Sequence, residues 1–173
     1  AETDEWMHIT LASNLKLDGE RGDCNALRRF QNSIIAFQDR SISEILFNSR
    51  TQIPTGDGVP IEIANSGKVD GKRVITNNSG CVNKWSIVEG KNALYYVDNI
   101  NKAFYAFNGN LENLSEKLGF TAWFKEKNKM GSWKPGSLFN NFVSYFDRIH
   151  SDVYLVGGWD TNEPCLVYNE TLG

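Results

Sequence analysis

Residues 93–107 read Ala-Leu-Tyr-Tyr-Val-Asp-Asn-Ile-Asn-Lys-Ala-Phe-Tyr-Ala-Phe. Two runs of aliphatic and aromatic residues flank the polar segment 98–101, whose Asp and Asn residues are typical of turns. Short apolar runs joined in this way are typical of an antiparallel hairpin. The stretch therefore predicts a hairpin, and with it an antiparallel sheet, in the middle of the chain.

Further strands are predicted on both sides of this hairpin. On the N-terminal side, Asp70-Gly71 is predicted to be a tight turn that joins a strand containing Ile61 and Ile63 to a returning strand at 73–76. On the C-terminal side, residues 153–156 and 165–168 predict a last hairpin. Residues 6–17 and 85–88 add two more strand candidates.

Four segments between these strands have apolar residues at helical spacing or a helix-start signal. They are Leu27 to Phe37 after an N-cap at Asp23, Ser41–Glu44 as a capping box, Leu111 to Leu118, and Ser137 to Phe146. Adjacent hairpins combined with helices predict a single α+β (or α/β) domain over residues 1–173. In it, largely antiparallel sheets are packed with helices.

Composition restricts the class of protein. The chain has 173 residues, 40% of them hydrophobic and 23% charged, which is typical of a globular domain and excludes a low-complexity chain. The formal net charge is −3, which argues against a broad nucleic-acid surface. No apolar run reaches the roughly 20 residues of a membrane span.

The three cysteines leave the redox compartment open. Cys24, Cys81 and Cys165 form no CxxC pair, so a structural zinc site is not expected. No other metal site and no cofactor is predicted from the sequence. They allow at most one disulfide within the chain, and three reduced thiols fit equally well. An N-terminal Ala in place of Met and three Asn-x-Ser/Thr sequons favour a processed, secreted or periplasmic chain. Three reduced thiols would favour the cytoplasm.

Three stretches carry a resemblance to a known family. They are Val69–Ser79 with its Asp-Gly turn, Val97–Gly109 with the Gly before a predicted helix, and Val153–Asp160 followed by Pro164–Tyr168. In this order, residues 68–173 resemble the proteasome subunits of the N-terminal-nucleophile (Ntn) hydrolase family. The resemblance implies a four-layer sandwich of sheets and helices and side-by-side association of subunits.

The catalytic residues of that family are not matched. Its nucleophilic threonine would fall near Glu62, its supporting aspartate on Asn78, and its lysine near Ala93, with Lys91 the nearest substitute. Ntn chemistry needs a hydroxyl or thiol nucleophile beside a base. The resemblance therefore implies a catalytically silent relative.

A second chemistry rests on the two histidines. His8-Ile-Thr-Leu resembles the His-x-Thr-x motif of two-histidine phosphoesterases, in which paired imidazoles act as general acid and base. Thr10 supplies the hydroxyl of that motif. The second motif would be His150-Ser-Asp-Val, in which Asp152 replaces the hydroxyl residue and would repel a phosphate. This gives an alternative hydrolase with His8, Thr10 and His150 as catalytic residues.

Aromatic residues make up 12% of the chain. Most are expected in the core, because their burial is a dominant favourable term in folding. The surplus predicts a recognition surface, with Tyr95, Tyr105, Trp133 and Trp159 as candidates. A secreted recognition or toxin-associated module is therefore a further alternative.

No complete catalytic set can be drawn from these residues. The sequence therefore favours a non-catalytic binding or assembly protein that associates with itself or with a protein partner.

Overall fold

A computed structural model describes residues 14–47, 51–53, 61–63, 69–122, 142–157 and 165–172. Strands dominate these residues. In chain order they are β1 (Cys24–Phe30), β2 (Ser33–Gln38), β3 (Ile42–Phe47), β4 (Thr51–Ile53), β5 (Ile61–Ile63), β6 (Val69–Thr76), β7 (Val88–Glu89), β8 (Leu94–Asp98), β9 (Ala103–Phe107), β10 (Leu111–Asn113), β11 (Phe142–Asp147), β12 (Asp152–Gly157) and β13 (Cys165–Asn169). Helix α1 (Leu114–Lys117) and two 3-10 turns (Gly19–Arg21, Lys84–Ser86) complete them.

The strands form three antiparallel sheets and a ribbon. The first sheet has the order β1-β2-β3-β6, the second β10-β9-β8-β7 and the third β11-β12-β13, while β4 pairs with β5. Within the second and third sheets, strands adjacent in sequence are also adjacent in space. Such meanders need only short connections, because each strand returns beside the one before it.

The second sheet lies between the other two. Successive side chains of a strand point to opposite faces, and β8 shows this directly. Leu94 and Tyr96 belong to the core against the first sheet, whereas Tyr95 and Val97 belong to the core against the third. All five residues of β8 are buried, which explains why this strand is an uninterrupted apolar run until Asp98.

Aromatic rings fill the core between the first and second sheets. The ring centroids of Phe37 and Tyr96 lie 5.3 Å apart in an edge-to-face arrangement, and those of Phe30 and Phe107 lie 6.1 Å apart. Such pairs add about 0.5–1.5 kcal/mol to the hydrophobic gain of burying the rings. The Tyr96 hydroxyl is paired with Ser79 at 2.8 Å, so it is not left unsatisfied in this core.

The core between the second and third sheets combines both sheets with α1. Val97 and Phe104 of the second sheet pack there with Val153 and Leu155 of the third, and Leu114 covers them from α1. The α1 N-cap is Asn113, whose side chain accepts a hydrogen bond from the Glu116 N–H. This turn of helix therefore serves as part of the packing between sheets.

The prediction of an α+β (or α/β) fold with helices packed on the sheets is wrong. Sheets pack on sheets, and α1, a single turn, is the one α-helix that lies wholly within the described residues. The four-layer Ntn-like sandwich is excluded for the same reason. Whether residues 1–173 are a single domain stays a prediction.

Three of the helix predictions fail because strands replace them. The segment with Leu27, Phe30, Ile34 and Phe37 is the hairpin of β1 and β2, which turns at Gln31 with a positive φ of 53°. Both faces of these strands carry apolar residues, so a subset of them matches a helical period by chance. The Ser41–Glu44 capping box begins β3, and the described part of 137–146 is β11.

Asp70-Gly71 is not a turn. Strand β6 runs through both residues and pairs with β3, where Gly71 lies opposite Leu46. The predicted partner strand at Ile61 and Ile63 pairs with β4 instead. By contrast, the predicted hairpin of β8 with β9 and that of β12 with β13 are confirmed. No helix among the described residues is long and apolar enough to cross a membrane.

Candidate functional site

A buried carboxylate joins the first two sheets at their loop end. Asp98 ends β8 and is 1% exposed. One carboxylate oxygen accepts hydrogen bonds from the N–H groups of Ile100 and Asn101, both at 2.9 Å. The other accepts from the Asn101 side chain at 2.8 Å and from the Gly80 N–H at 3.2 Å. Four donors satisfy this buried acid, so it acts as a structural acceptor.

The chain crosses from the first sheet to the second directly beside Asp98. A Cβ at Gly80 would overlap the backbone of Gln38 and Asp39, so only glycine fits this approach. The next residue, Cys81, donates its N–H to the Gln38 carbonyl at 2.9 Å. The side chain of Asn25 donates to the Cys81 carbonyl at 3.1 Å and to the Asp39 carboxylate at 2.7 Å. The crossing is therefore fixed by hydrogen bonds.

A second carboxylate joins the second and third sheets. Glu170 follows β13, and its carboxylate accepts from the N–H groups of Lys91 and Asn92 at 2.9 and 3.2 Å. It also accepts from the Tyr95 hydroxyl at 2.8 Å. Burial first, and this hydrogen bond second, raise the pKa of the Tyr95 hydroxyl. Tyr95 therefore stays a neutral donor that links the two sheets.

The opposite part of the same interface is joined by side chains that bond to backbone carbonyls. The Asn83 amide donates to the Phe142 carbonyl at 2.6 Å, and the Ser144 hydroxyl donates to the Ser86 carbonyl at 2.9 Å. Asn83 and Ser86 are both buried. Hydrogen-bonded polar groups inside an apolar interface specify its alignment, because a shift would leave them unpaired.

Of the predicted catalytic residues, His150 lies in the turn between β11 and β12. Its Nδ1 is 2.6 Å from an oxygen of Asp147, and its side chain is 68% exposed. The hydrogen bond and the charge of Asp147 raise the pKa of the imidazole above its usual 6.5. His8 and Thr10 lie outside the described residues, so the proposed pairing with His150 stays a prediction.

Of the four aromatic residues predicted to bind a ligand, two lie among the described residues and two lie outside them. Tyr95 is buried and stacks on Phe104, and Tyr105 is half-buried and stacks on Tyr96 with centroids 5.4 Å apart. Both rings take part in the packing of the sheets. Trp133 and Trp159 lie outside the described residues, and the binding role of all four aromatics stays a prediction.

The three cysteines are free thiols in this structure. Cys24 and Cys165 are exposed, whereas Cys81 is buried. Burial raises the pKa of the Cys81 thiol to about 12, and its sulfur lies 3.3 Å from the Ser86 hydroxyl. No group of three His, Cys, Asp or Glu side chains in the described part of the chain could hold a metal ion.

The outer face of the third sheet is apolar and open; we call it the open face. Cross-strand pairing aligns its side chains in two rows. One row contains Val143, Val156 and Cys165, and the next contains Tyr145, Tyr154 and Val167. Val143, Tyr145, Val156 and Val167 are 53%, 64%, 45% and 49% exposed. Contiguous exposed apolar residues of this kind are a feature of interaction surfaces.

Sequence reasoning missed both the open face and Glu170. Residues 142–146 read Phe-Val-Ser-Tyr-Phe, which places apolar residues on both faces of a strand, but the same residues also match a helical period. Glu170 carries no local signal, because its backbone donors lie 79 and 78 residues away along the chain. Asp98 was recognised only as the first residue of a turn.

Two matches to known proteins show which family this chain belongs to. The family model for the Crassvirus muzzle protein matches residues 1–173. The muzzle protein of Bacteroides phage crAss001 is 46% identical over 171 residues, which cover 99% of this chain. The chain spans about 12% of the length of that curated relative.

These matches correct the resemblance drawn from residues 68–173. The Asp-Gly and Gly-Trp-Asp stretches that suggested a proteasome-type Ntn subunit are short and common, whereas the family match extends over the whole chain. The Asp-Gly stretch also lies within β6 and not in a hairpin turn. The chain belongs to the Crassvirus muzzle protein family.

Proposed function

We propose that this chain is a non-catalytic structural module of a phage assembly protein, which contributes a stack of β-sheets to a particle built with other proteins. The name of the crAss001 relative supports a role in the phage particle. The function of the full-length relative is part of this proposal, because the chain spans only about 12% of it.

The observation that carries the proposal is the set of hydrogen bonds that the carboxylates of Asp98 and Glu170 accept. The oxygens of Asp98 and Glu170 accept hydrogen bonds from backbone and side-chain donors of neighbouring segments. A general acid or base needs an oxygen facing its substrate. These two carboxylates instead link neighbouring sheets to each other, as a structural module requires.

The open face supports the assembly part of the proposal. Its two rows carry no charged side chain, and four of their residues are between 45% and 64% exposed. Fully burying an exposed Val side chain contributes on the order of 1.5–3 kcal/mol, and covering these half-exposed side chains contributes a part of that. An apolar sheet face of this kind supports association with another protein surface.

The test is the content of purified particles. Particles of the phage that encodes this chain are purified by density gradient, and peptides of residues 14–172 are quantified by mass spectrometry against the major capsid protein. We expect these peptides at a fixed ratio in every preparation. Peptides found only in infected-cell extract, and lost from gradient-purified particles, would contradict the proposal.

A further inference from the structure

The open face of the third sheet has the residue composition of a sheet face that is buried in a core. In the second sheet, both faces are apolar and both are buried, one against the first sheet and one against the third. In the third sheet, the inner face carries Phe142, Val153 and Leu155, all buried in the second core. Its outer face has the same kind of residues in register, but Val143, Tyr145, Val156 and Val167 there are between 45% and 64% exposed.

A sheet that ends a stack normally has a polar outer face, because alternation places polar side chains toward water. The third sheet lacks this pattern in its central rows. Charged side chains appear only in the row at the turn, where Asp147 pairs with Asp152. The outer face of the first sheet is not exposed in this way, since Ala36 and Ile45 on that face are 0% and 9% exposed.

From this juxtaposition we propose that the open face is covered by a further antiparallel β-sheet of a muzzle-length polypeptide, stacked on the third sheet as the third is stacked on the second. The inference rests on the proposed function and specifies its partner. The occupant is an apolar sheet face with aliphatic and aromatic residues in cross-strand rows.

Two observations favour this occupant. The packing of one antiparallel sheet on the next occurs twice in succession within the described residues, so a third repetition continues an interface that the chain already makes. The curated relative also has ample chain to supply it, because the matched region is about 12% of its length. The absence of charge in the two rows disfavours a partner recognised by ionic contacts.

The experiment uses the thiol of Cys165, which lies in one of the two rows of the open face, to report whether that face is covered. A chimera is made in which this chain replaces the matching region of the crAss001 muzzle protein. Thiol labelling is followed residue by residue in the chimera and in the separate chain. We expect Cys165 to react at least about tenfold more slowly in the chimera, because a covered thiol reacts only after local opening. Buried Cys81 stays protected in both and reports that the fold is intact.

A substitution provides an independent readout. Tyr145→Asp places a charge on the open face, whereas Ile149→Asp places one in the turn beyond it, at a side chain that is 87% exposed. We expect Tyr145→Asp to leave the melting temperature of the separate chain nearly unchanged and to make this region of the chimera sensitive to protease. Ile149→Asp should change neither.

Two outcomes would overturn the inference. Equal reactivity of Cys165 in the two proteins, with Cys81 protected in both, would show that the face stays open in the long polypeptide. A concentration-dependent dimer of the separate chain by sedimentation velocity, abolished by Tyr145→Asp, would show that a second copy is the occupant. Either result could occur while the chain is still found in purified particles, so failure of this inference is distinguishable from failure of the proposed function.

Discussion

The backbone N–H of Gly80 donates a hydrogen bond of 3.2 Å to the buried carboxylate of Asp98. Gly80 lies in the segment that leaves the first sheet, and Asp98 lies at the end of a strand of the second. The same carboxylate fixes the turn that follows it. One acidic side chain therefore determines both a turn and the position of the chain where it crosses between sheets.

Gly80→Ala should destabilise the protein by about 1–3 kcal/mol, the usual cost of overpacking. The new methyl group would overlap the backbone of Gln38 and Asp39, which cannot rotate away as a side chain could. Gly71→Ala is the matched control, because nothing lies within 4 Å of a Cβ there. Urea denaturation of both variants measures the free energies of unfolding. Equal values for the two variants would contradict the close approach at Gly80.

Glu170→Gln should lower the free energy of unfolding by about 1–2 kcal/mol. The amide oxygen can still accept from Tyr95, but the amide nitrogen would face the Lys91 N–H, and two donors then oppose each other. Glu89→Gln, at an exposed position of the second sheet, serves as the control. Thermal unfolding by circular dichroism checks both variants, and a wild-type melting curve for Glu170→Gln would show that this link between sheets contributes nothing.

The pair of His150 and Asp147 should titrate as a unit. The pKa of His150 is raised by its partner, so its contribution to stability is complete below about pH 6.5 and is lost as the pH rises through the folded-state pKa. The pKa of Asp147 is lowered chiefly by the hydrogen bond to His150, so its contribution is present above about pH 3.8 and is lost as the pH falls through the depressed pKa. The pair therefore contributes most between these two values.

An NMR titration of the His150 imidazole tests this pair, with a His8→Gln variant to assign the resonance. Asp147→Asn should bring the pKa of His150 down toward 6.5. Asp152→Asn should have a smaller effect, because Asp152 acts on the imidazole only as a minor charge. A His150 pKa at or below 6.5 in the wild-type protein would exclude the ion pair in solution.

Two of the three thiols should react with a thiol reagent at neutral pH in the native protein. Cys24 and Cys165 are exposed, whereas Cys81 is buried and its pKa is raised to about 12, so almost no thiolate forms there. All three should react after unfolding in guanidinium. Mass spectrometry counts the labels. A native protein with one label or none would instead favour the disulfide that the cysteine count allows.

Local sequence was sufficient for two hairpins in which a short stretch rich in polar residues separates two apolar runs. The pairing of Leu94–Asp98 with Ala103–Phe107 could be predicted, because the turn and the two apolar runs lie within one stretch of chain. The hairpin of β12 and β13 was found from the same kind of signal. For the candidate site, Asp98 could be predicted as a turn residue and His150 as a titratable group, but their hydrogen-bond partners could not be predicted.

Only the tertiary structure decided between helix and strand at β1, β2 and β11. Strands packed between two layers, or with two apolar faces, lose the alternation that identifies a strand, so their apolar residues also fit a helical period. The choice is then made by the sheets that cover them, which come from distant parts of the chain. The same holds for Glu170, whose carboxylate meets the Lys91 N–H from 79 residues away. The sequence alone determined the short-range pairing of β8 with β9 and of β12 with β13. The pairing of β1 with β2, and the stacking of sheets, required contacts that no local pattern records, because burial depends on what the completed fold places over each face.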